Sequence, residues 1–299
     1  MVYAKAVQAE APRGSMTTSA VLLLSCPDRK GVVASVAGFL YQHGGNILHA
    51  DEHGDQDSNT FLMRVEFDPA ELDLPLSHFS WHFAEIAKKF EMQWRLALTG
   101  VRQRMAILVS KYDHCLVDLL YRHQSGELAC DVACIISNHS DGQAVADFYH
   151  IPFYLVPVTK ENKPAAERQI RTLLERQAVD LIVLARYMQI LSTEFVQAYP
   201  QKIINIHHSF LPAFVGAKPY HQAFTRGVKL IGATSHYVTE VLDDGPIIEQ
   251  DVIRVSHRDS LEDLLQKGRD LEKVVLSRAV RWHLENRVLL YGNKTVVFE

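Results

Sequence analysis

The chain has 299 residues, of which 47% are hydrophobic and 22% are charged, and its formal net charge is −4. This is the composition of a globular protein and excludes a disordered, collagen-like or coiled-coil chain, while the length suggests about two domains. The sequence has no block rich in lysine and arginine and no apolar run near the roughly 18 residues that span a bilayer. We therefore expect a protein that binds neither nucleic acid nor membranes.

The cysteines and the first residues indicate the compartment of the protein and the start of its fold. Four irregularly spaced cysteines favour reduced thiols in a cytoplasmic protein, and these are Cys26, Cys115, Cys130 and Cys134. Residues 1–15 lack the apolar segment of a signal peptide. We expect them to be a leader ahead of a natural start at Met16.

Residues 17–98 predict a first domain of mixed strands and helices. An apolar run at residues 20–25 predicts a strand, and apolar residues at helical spacing from Val32 to Leu40 predict a helix. Gly44 and Gly45 end that helix, because glycine readily adopts the left-handed conformation found at helix ends. Two strands, a second helix and a last strand are predicted at residues 46–53, 59–67, 77–90 and 92–98. The order β-α-β-β-α-β is that of a ferredoxin-like domain.

Residues 103–299 predict a second domain in which strands alternate with helices. The predicted strands lie at residues 105–110, 131–137, 153–156, 179–185 and 202–206. This alternation is typical of a Rossmann-like, mostly parallel α/β sheet covered on both faces. A ligand of such a sheet binds beyond the carboxyl ends of the strands, here after Ser110, Ala185 and Ile206. A helix-rich segment at 260–285 and a hairpin that turns at Gly292 and Asn293 are expected to complete this domain.

Three side chains at these strand ends suit acyl transfer to or from a carbonyl group. Asn205 and His207 are two residues apart on a predicted strand, so they project to the same face. Asp243 and Asp244 lie in a turn before the next strand. An amide can hydrogen-bond a developing oxyanion, and an imidazole with a carboxylate can move protons. The spacing alone does not decide between the two aspartates.

Three motifs in this region resemble the formyltransferase-type family that uses 10-formyltetrahydrofolate. They are Asn-Ile-His-x-Ser-x-Leu-Pro at 205–212, Gly-Ala-Thr-x-His-Tyr-Val-Thr at 232–239 and Leu-Asp-x-Gly-Pro at 242–246. The resemblance covers about residues 105–255. It implies that Asn205, His207 and Asp243 are the catalytic residues and that Asp244 is an exposed neighbour.

The same resemblance implies a pteridine site between the segment 186–191 and the turn 238–242. The implied substrate-binding residues are Tyr187, Met188, Gln189, Leu191, Val238, Thr239 and Val241. Arg186 stands where the ribonucleotide-using members of the family have a small residue, and its role stays open.

The acceptor of the formyl group is predicted from the first loop of the second domain. Enzymes that formylate a ribonucleotide need a glycine-rich loop whose backbone N–H groups bind the phosphate. The corresponding segment here, 110–116, contains no glycine and carries bulky side chains and an acid. It is a poor phosphate site, so water is the expected nucleophile.

The first domain carries a second resemblance. A strand, the loop 27–31, a helix and then Gly-Gly-Asn-Ile at 44–47 resemble the ACT domain, which binds small effectors, often amino acids. This implies effector contacts at Asp28, Gly31 and Asn46 and a homo-oligomer, either a dimer or a tetramer.

An ACT-like domain followed by a formyltransferase-type domain resembles the formyltetrahydrofolate deformylase family. The implied reaction is hydrolysis of 10-formyltetrahydrofolate to tetrahydrofolate and formate, which would supply formate for purine biosynthesis. Two alternatives remain open at this point: a transferase with an amine acceptor, and a catalytically silent sensor of folate or an amino acid.

Metal and cofactor motifs are not expected. His78 and His82 are four residues apart on a predicted helix, but no glutamate follows His78 as a zinc protease motif requires. Cys130 and Cys134 have no second cysteine pair. The sequence contains neither a dinucleotide-binding glycine motif nor a Walker A loop. We therefore expect no metal and no cofactor, with the folate acting as the substrate.

Overall fold

The computed structural model describes residues 18–213 and 219–299, which form two compact units. The first unit contains the described residues up to Val101 together with Glu285–Glu299, and the second contains Arg102–Leu284. The expected leader at 1–15 lies outside the described residues. Among the residues described, none of the helices has the length and apolar character needed to cross a membrane.

The first unit is built on a four-stranded antiparallel sheet and two helices. Its elements are β1 (Ala20–Pro27), α1 (Val32–Gln42), β2 (Asn46–Asp55), β3 (Thr60–Asp68), α2 (Phe79–Lys89) and β4 (Gln93–Leu98). The strands lie in the order β2-β3-β1-β4. This is the expected ferredoxin-like β-α-β-β-α-β arrangement.

A C-terminal hairpin covers the other face of this sheet. It consists of β12 (Val288–Tyr291) and β13 (Lys294–Val297). Leu22 and Leu24 of β1 pack with the two helices, whereas Val21 and Leu23, on the alternate face, pack with Phe298. The structure therefore moves residues 285–299 from the expected second domain into the first unit, because a strand with two apolar faces needs cover on both.

The second unit is a seven-stranded sheet with helices. Its elements are β5 (Gln103–Val109), α3 (His114–Gln124), β6 (Cys130–Ser137), α4 (Gln143–Phe148), β7 (Phe153–Leu155), α5 (Lys163–Arg176), β8 (Leu181–Leu184), α6 (Thr193–Ala198), β9 (Ile203–His207), α7 (Pro219–Arg226), β10 (Leu230–Tyr237), β11 (Ile247–Arg254) and α8 (Leu261–Leu284). The strand order is β11-β10-β9-β8-β5-β6-β7. Strands β5 to β9 pair in parallel, whereas β10 and β11 are antiparallel. The expected mostly parallel α/β class is confirmed.

The burial of the central strands explains why they pair in parallel. All four residues of β8 and the last five of β5 are buried and apolar, as in a sheet that is covered on both faces. On one face Ile170 and Leu174 of α5 and Phe195 of α6 pack against these strands. The carboxyl ends of β5, β8 and β9 therefore lie at one edge of the sheet.

Candidate active site

A cavity of about 600 Å³ lies at the carboxyl ends of β8 and β9 in the second unit. Its walls come from the loop after β8, the end of β9, the turn between β10 and β11, and the helices α7 and α8. This is the edge of a parallel sheet at which ligands generally bind.

Asn205 is held in the cavity by a histidine on the neighbouring strand. The antiparallel register of β9 and β10 places Asn205 opposite His236, and Asn205 Nδ2 lies 3.2 Å from His236 Nε2. His236 Nδ1 lies 2.9 Å from the carbonyl oxygen of Tyr237, which can only accept, so Nδ1 carries the proton. Burial lowers the pKa of His236, so the ring is neutral and its Nε2 accepts one N–H of Asn205. The second N–H of that amide stays available to a ligand.

His207 is oriented by Asp243. The imidazole Nδ1 lies 3.3 Å from Asp243 Oδ1, and both side chains are largely buried. Since a carboxylate accepts, Nδ1 donates, which leaves Nε2 of His207 as the atom that can accept a proton. That Nε2 is buried and has no hydrogen-bond partner among the described residues. His207 therefore presents an unsatisfied acceptor in the wall of the cavity.

The carboxylate of Asp243 is ionised. Burial acts to raise its pKa, but the hydrogen bond from His207 and the nearby His236 outweigh that effect and lower the pKa overall. Asp243 has a left-handed backbone with φ of 57°, and a Cβ on Gly245 would lie 1.7 Å from the carbonyl oxygen of Tyr237. The turn therefore requires glycine at position 245 to hold Asp243 against His207. Asp244 is exposed and does not line the cavity.

The structure brings the implied substrate-binding residues to the same cavity. The loop after β8 and the turn after β10 both line the cavity. The lining residues from these two segments include Tyr187, Met188, Gln189, Leu191, Val238, Thr239 and Val241. Ser110 Oγ accepts the backbone N–H of Met188 at 2.9 Å and donates to Asn138 Oδ1 at 2.6 Å. These bonds fix the loop after β8 to the ends of β5 and β6.

A buried polar cluster also lines the cavity. Glu272 of α8 is 1% exposed, and its Oε2 lies 2.7 Å from His114 Nε2 and 3.5 Å from Arg186 Nε. Its Oε1 accepts the hydroxyl of Tyr220 at 2.9 Å. Burial acts to raise the pKa of Glu272, but the hydrogen bond from His114 and the charge of Arg186 outweigh it, so the pKa is lowered and the carboxylate is ionised.

Part of this cluster has the residue types of a metal site. Ligand atoms of His114, Cys115 and Glu272 lie within 4.8 Å of one another. Both oxygens of Glu272 already have partners, and the guanidinium of Arg186 supplies the positive charge beside them. Burial raises the pKa of the Cys115 thiol well above its usual value, so it is protonated and a poor ligand. This donor set does not fit a metal cation.

Two family models match the chain, one for each kind of domain. The formyl transferase model matches residues 103–280, and the ACT domain model matches residues 20–76. The formyltetrahydrofolate deformylase of Synechocystis sp. is 55% identical over 94% of this chain and 98% of that protein. The chain belongs to the formyltetrahydrofolate deformylase family. A relative of the same name from Bacillus subtilis is 50% identical over 93% of both chains.

Solved structures agree with this family assignment. A formyltetrahydrofolate deformylase from Pseudomonas syringae pv. tomato superposes with a TM-score of 0.93 at 50% identity, covering 96% of each chain. A glycinamide ribonucleotide transformylase from Symbiobacterium toebii gives a TM-score of 0.64 at 30% identity, covering 69% of this chain and 98% of that chain. The expected resemblances to the deformylase and formyltransferase-type families are confirmed.

The expected effector residues of the ACT-like unit do not meet within one chain. Gly31, with φ of 96°, precedes α1, and Asp28 follows the end of β1, which pairs with β3 at Thr60. Asn46 begins β2 and pairs with β3 at Asp68. Thr60 and Asp68 are the two ends of β3, roughly 26 Å apart at the usual rise of a strand. A site that uses both Asp28 and Asn46 therefore requires two copies of this unit.

Two parts of the active site are absent from the sequence-based prediction. His236 lies in the motif at 232–239, but its pairing with Asn205 depends on the register between β9 and β10. Glu272 could be predicted from the pattern of α8, because it lies on the buried face of that helix with Gly268, Leu271 and Val275. A charged residue on the apolar face of a helix is rarely buried without partners, so it marks a polar site.

Proposed function

We propose that the protein hydrolyses 10-formyltetrahydrofolate to tetrahydrofolate and formate, with Asn205, His207 and Asp243 as its catalytic residues. The observation that carries this proposal is the arrangement of the amide, the imidazole and the carboxylate at one wall of the cavity, with His207 Nε2 unsatisfied. Family membership supports the substrate, since the relatives are named for it. The released formate and folate would serve one-carbon metabolism, including purine biosynthesis.

The geometry supports a separate role in the reaction for each of Asn205, His207 and Asp243. The free N–H of Asn205 binds the formyl oxygen and stabilises the negative charge that develops on it. His207 Nε2 accepts a proton from the attacking water, and Asp243 stabilises the imidazolium that results. The C–N bond to the folate then breaks and its nitrogen takes up a proton. The products are the secondary amine, formate and one proton, which balances the addition of water.

The end of the cavity near β5 favours water over a ribonucleotide acceptor. Tyr112 places its ring 5.5 Å from the guanidinium of Arg186, and His114 is hydrogen-bonded to Glu272. Large side chains therefore line the place where a phosphate-binding loop would expose its backbone N–H groups. Water needs no such site.

The ACT-like unit supports a proposal about partners. A small amino acid would bind between Asp28 and Gly31 of one copy and Asn46 of another, which makes the protein a homo-oligomer. The loop before α1 ends at Gly31 and leads into a helix N-terminus, where backbone N–H groups can receive a carboxylate. The separation of these residues within one chain supports a shared site.

The experiment that tests the reaction uses the full chain and 10-formyltetrahydrofolate with no amine present. Formate and tetrahydrofolate should appear in equal amounts. Addition of glycinamide ribonucleotide should neither accelerate loss of the formyl group nor yield a formylated ribonucleotide. A formylated product formed as fast as formate would assign the protein to the transferases, and no turnover would leave a silent sensor.

A further inference from the structure

Arg186 is a buried cation with two side-chain nitrogens that make no hydrogen bond among the described residues. The residue is 9% exposed and lines the same cavity as Asn205 and His207. Its Nε and Nη1 have no hydrogen-bond partner among the described residues. Because buried N–H donors without acceptors are costly, a cation of this kind in a cavity wall indicates that an acceptor ligand binds there.

The neighbours of Arg186 balance its charge without using its donors. Glu272 lies 3.5 Å from Nε, but its two oxygens accept from His114 and Tyr220. The ring of Tyr112 lies 5.5 Å from the guanidinium and offers a π face rather than an acceptor. The ion pair keeps Arg186 charged inside the protein while two of its nitrogens remain open.

A continuous wall joins Arg186 to the reacting groups. The rings of His207 and His208 are 5.4 Å apart, and those of His208 and Tyr220 are 6.1 Å apart. Tyr220 in turn donates to Glu272, the ionic partner of Arg186. Burial and the charge of Arg186 lower the pKa of His208 to about 3, so this histidine is neutral at physiological pH. Arg186 is thus the buried cation along a wall that begins at His207.

We infer that Arg186 forms a subsite for a small carboxylate, which in the reaction is the formate product. This inference rests on the proposed hydrolysis. The N–H groups of a guanidinium donate strongly to carboxylate oxygens, so an open nitrogen such as Nη1 can bind an oxygen of a small carboxylate. Formate forms beside the carboxylate of Asp243, which repels it, so the buried cation of Arg186 in the same cavity favours its departure from the reacting position.

A second carboxylate source shares this chemistry, namely the glutamate tail of the folate. The two sources are separated by a substrate without the tail, 10-formyltetrahydropteroate. If Arg186 bound the tail, Arg186→Met would raise KM for the complete folate and leave KM for the pteroate unchanged. If Arg186 binds formate, the two substrates respond alike and only inhibition by formate weakens.

The experiment measures product inhibition by formate with the full-length protein. Arg186→Met should raise the inhibition constant for formate at least about tenfold, the usual effect of losing a hydrogen bond to a charged group. Arg186→Lys should retain part of the affinity, because it keeps the charge without the planar donors. The double variant Arg186→Met with Glu272→Gln avoids an unpaired buried carboxylate and should show the same loss.

Arg269 provides the matched control. Like Arg186, Arg269 lines the cavity and places its guanidinium near the ring of Tyr112, at 5.9 Å. Unlike Arg186, it is exposed to solvent. Arg269→Met should leave the inhibition constant for formate within about twofold, as expected for a solvent-screened charge.

Line broadening of [13C]formate by the protein without substrate gives a reading that does not depend on turnover. Broadening that Arg186→Met abolishes and Arg269→Met preserves supports the inference. Unchanged formate inhibition in both Arg186→Met and the double variant, with hydrolysis intact, would overturn it. Formate binding through Arg186 in a protein that releases no formate would overturn the proposed reaction and leave the carboxylate subsite standing.

Discussion

The side-chain amide of Asn205 donates to His236 across two adjacent strands, with 3.2 Å between Nδ2 and Nε2. The proton on His236 Nδ1 is fixed by the carbonyl oxygen of Tyr237, so Nε2 can only accept. Because His236 Nε2 can only accept this hydrogen bond, the orientation of the Asn205 amide is fixed, and its second N–H is left for the substrate. In the proposed mechanism the oxyanion donor is therefore set before substrate binds, which is the condition for strong electrostatic stabilisation.

Asn205→Ala tests the oxyanion role. Loss of one such donor costs about 100- to 1000-fold in kcat, whereas KM should change little because the bond strengthens as charge develops. Steady-state kinetics of formate release measure both constants. Val33→Ala, at an exposed position in the first unit, serves as the control and should leave kcat near its normal value. A large rise in KM with kcat preserved would show that Asn205 only binds substrate.

His236→Phe tests the positioning of that amide. We expect kcat to fall about tenfold with KM unchanged, since one hydrogen bond that orients the donor is lost. His236→Gln restores an acceptor and should recover part of the rate. In the double variant with Asn205→Ala the His236 change should have no further effect, because the group it orients is gone. Additive losses would refute the positioning role.

Asp243→Asn tests the carboxylate. Asparagine tolerates the left-handed backbone at this position, so the turn should persist. Because the pKa of Asp243 is lowered, its carboxyl group is ionised at and above the usual pKa of an aspartate. The contribution of this carboxylate to catalysis is lost only as the pH falls through the lowered pKa. The variant should therefore be at least about 100-fold slower at every pH from about 5 to 9. Turnover in Asp243→Asn within about tenfold of the unaltered protein across this pH range would contradict the assignment.

Gly245→Ala tests the turn that holds Asp243. The added Cβ would meet the carbonyl oxygen of Tyr237 at 1.7 Å, so the turn must shift and the contact with His207 must lengthen. We expect kcat to approach that of Asp243→Asn. Gly38→Ala is the matched change, since a Cβ there meets nothing within 4 Å and lies in a helix. It should preserve kcat and stabilise the protein by about 0.5–1 kcal/mol. Normal turnover in Gly245→Ala would contradict the requirement for glycine.

The C-terminal hairpin should stabilise the first unit. Phe298 is 5% exposed and packs with Val21 and Leu23 of β1. Phe298→Ala should reduce the free energy of unfolding by about 3–5 kcal/mol, as for other buried phenylalanines. Urea titration followed by tryptophan fluorescence measures the change. Val33→Ala removes an exposed valine and should change stability by no more than about 0.5 kcal/mol.

The sequence predicted the elements whose signals are local. Periodicity located the strands and helices of both units, and short motifs located Asn205, His207 and Asp243, because their contacts arise at one strand end and one tight turn. The choice of Asp243 over Asp244 depended on the Asp-x-Gly-Pro pattern. The steric need for Gly245 gives the physical reason for that pattern.

The features that sequence reasoning missed depend on contacts between distant segments. The Arg186–Glu272 pair joins a loop after β8 to the middle of α8, and no spacing rule links the two. The position of the hairpin after α8 in the chain predicts the second domain, whereas the structure has it in the first unit. The all-apolar run of β1 was the available signal, since it showed that both faces of the first sheet needed cover.

The most direct test of the central claim follows the oxygen of water into the product. The protein is incubated with 10-formyltetrahydrofolate labelled with 13C in the formyl group, in water enriched in 18O and without any amine. Attack of water on the formyl carbon predicts that each released [13C]formate carries one 18O, detected by mass spectrometry, and that Asn205→Ala slows its release about 100- to 1000-fold. Formate without 18O, or loss of the formyl group from the folate only after an amine acceptor is added, would contradict the account.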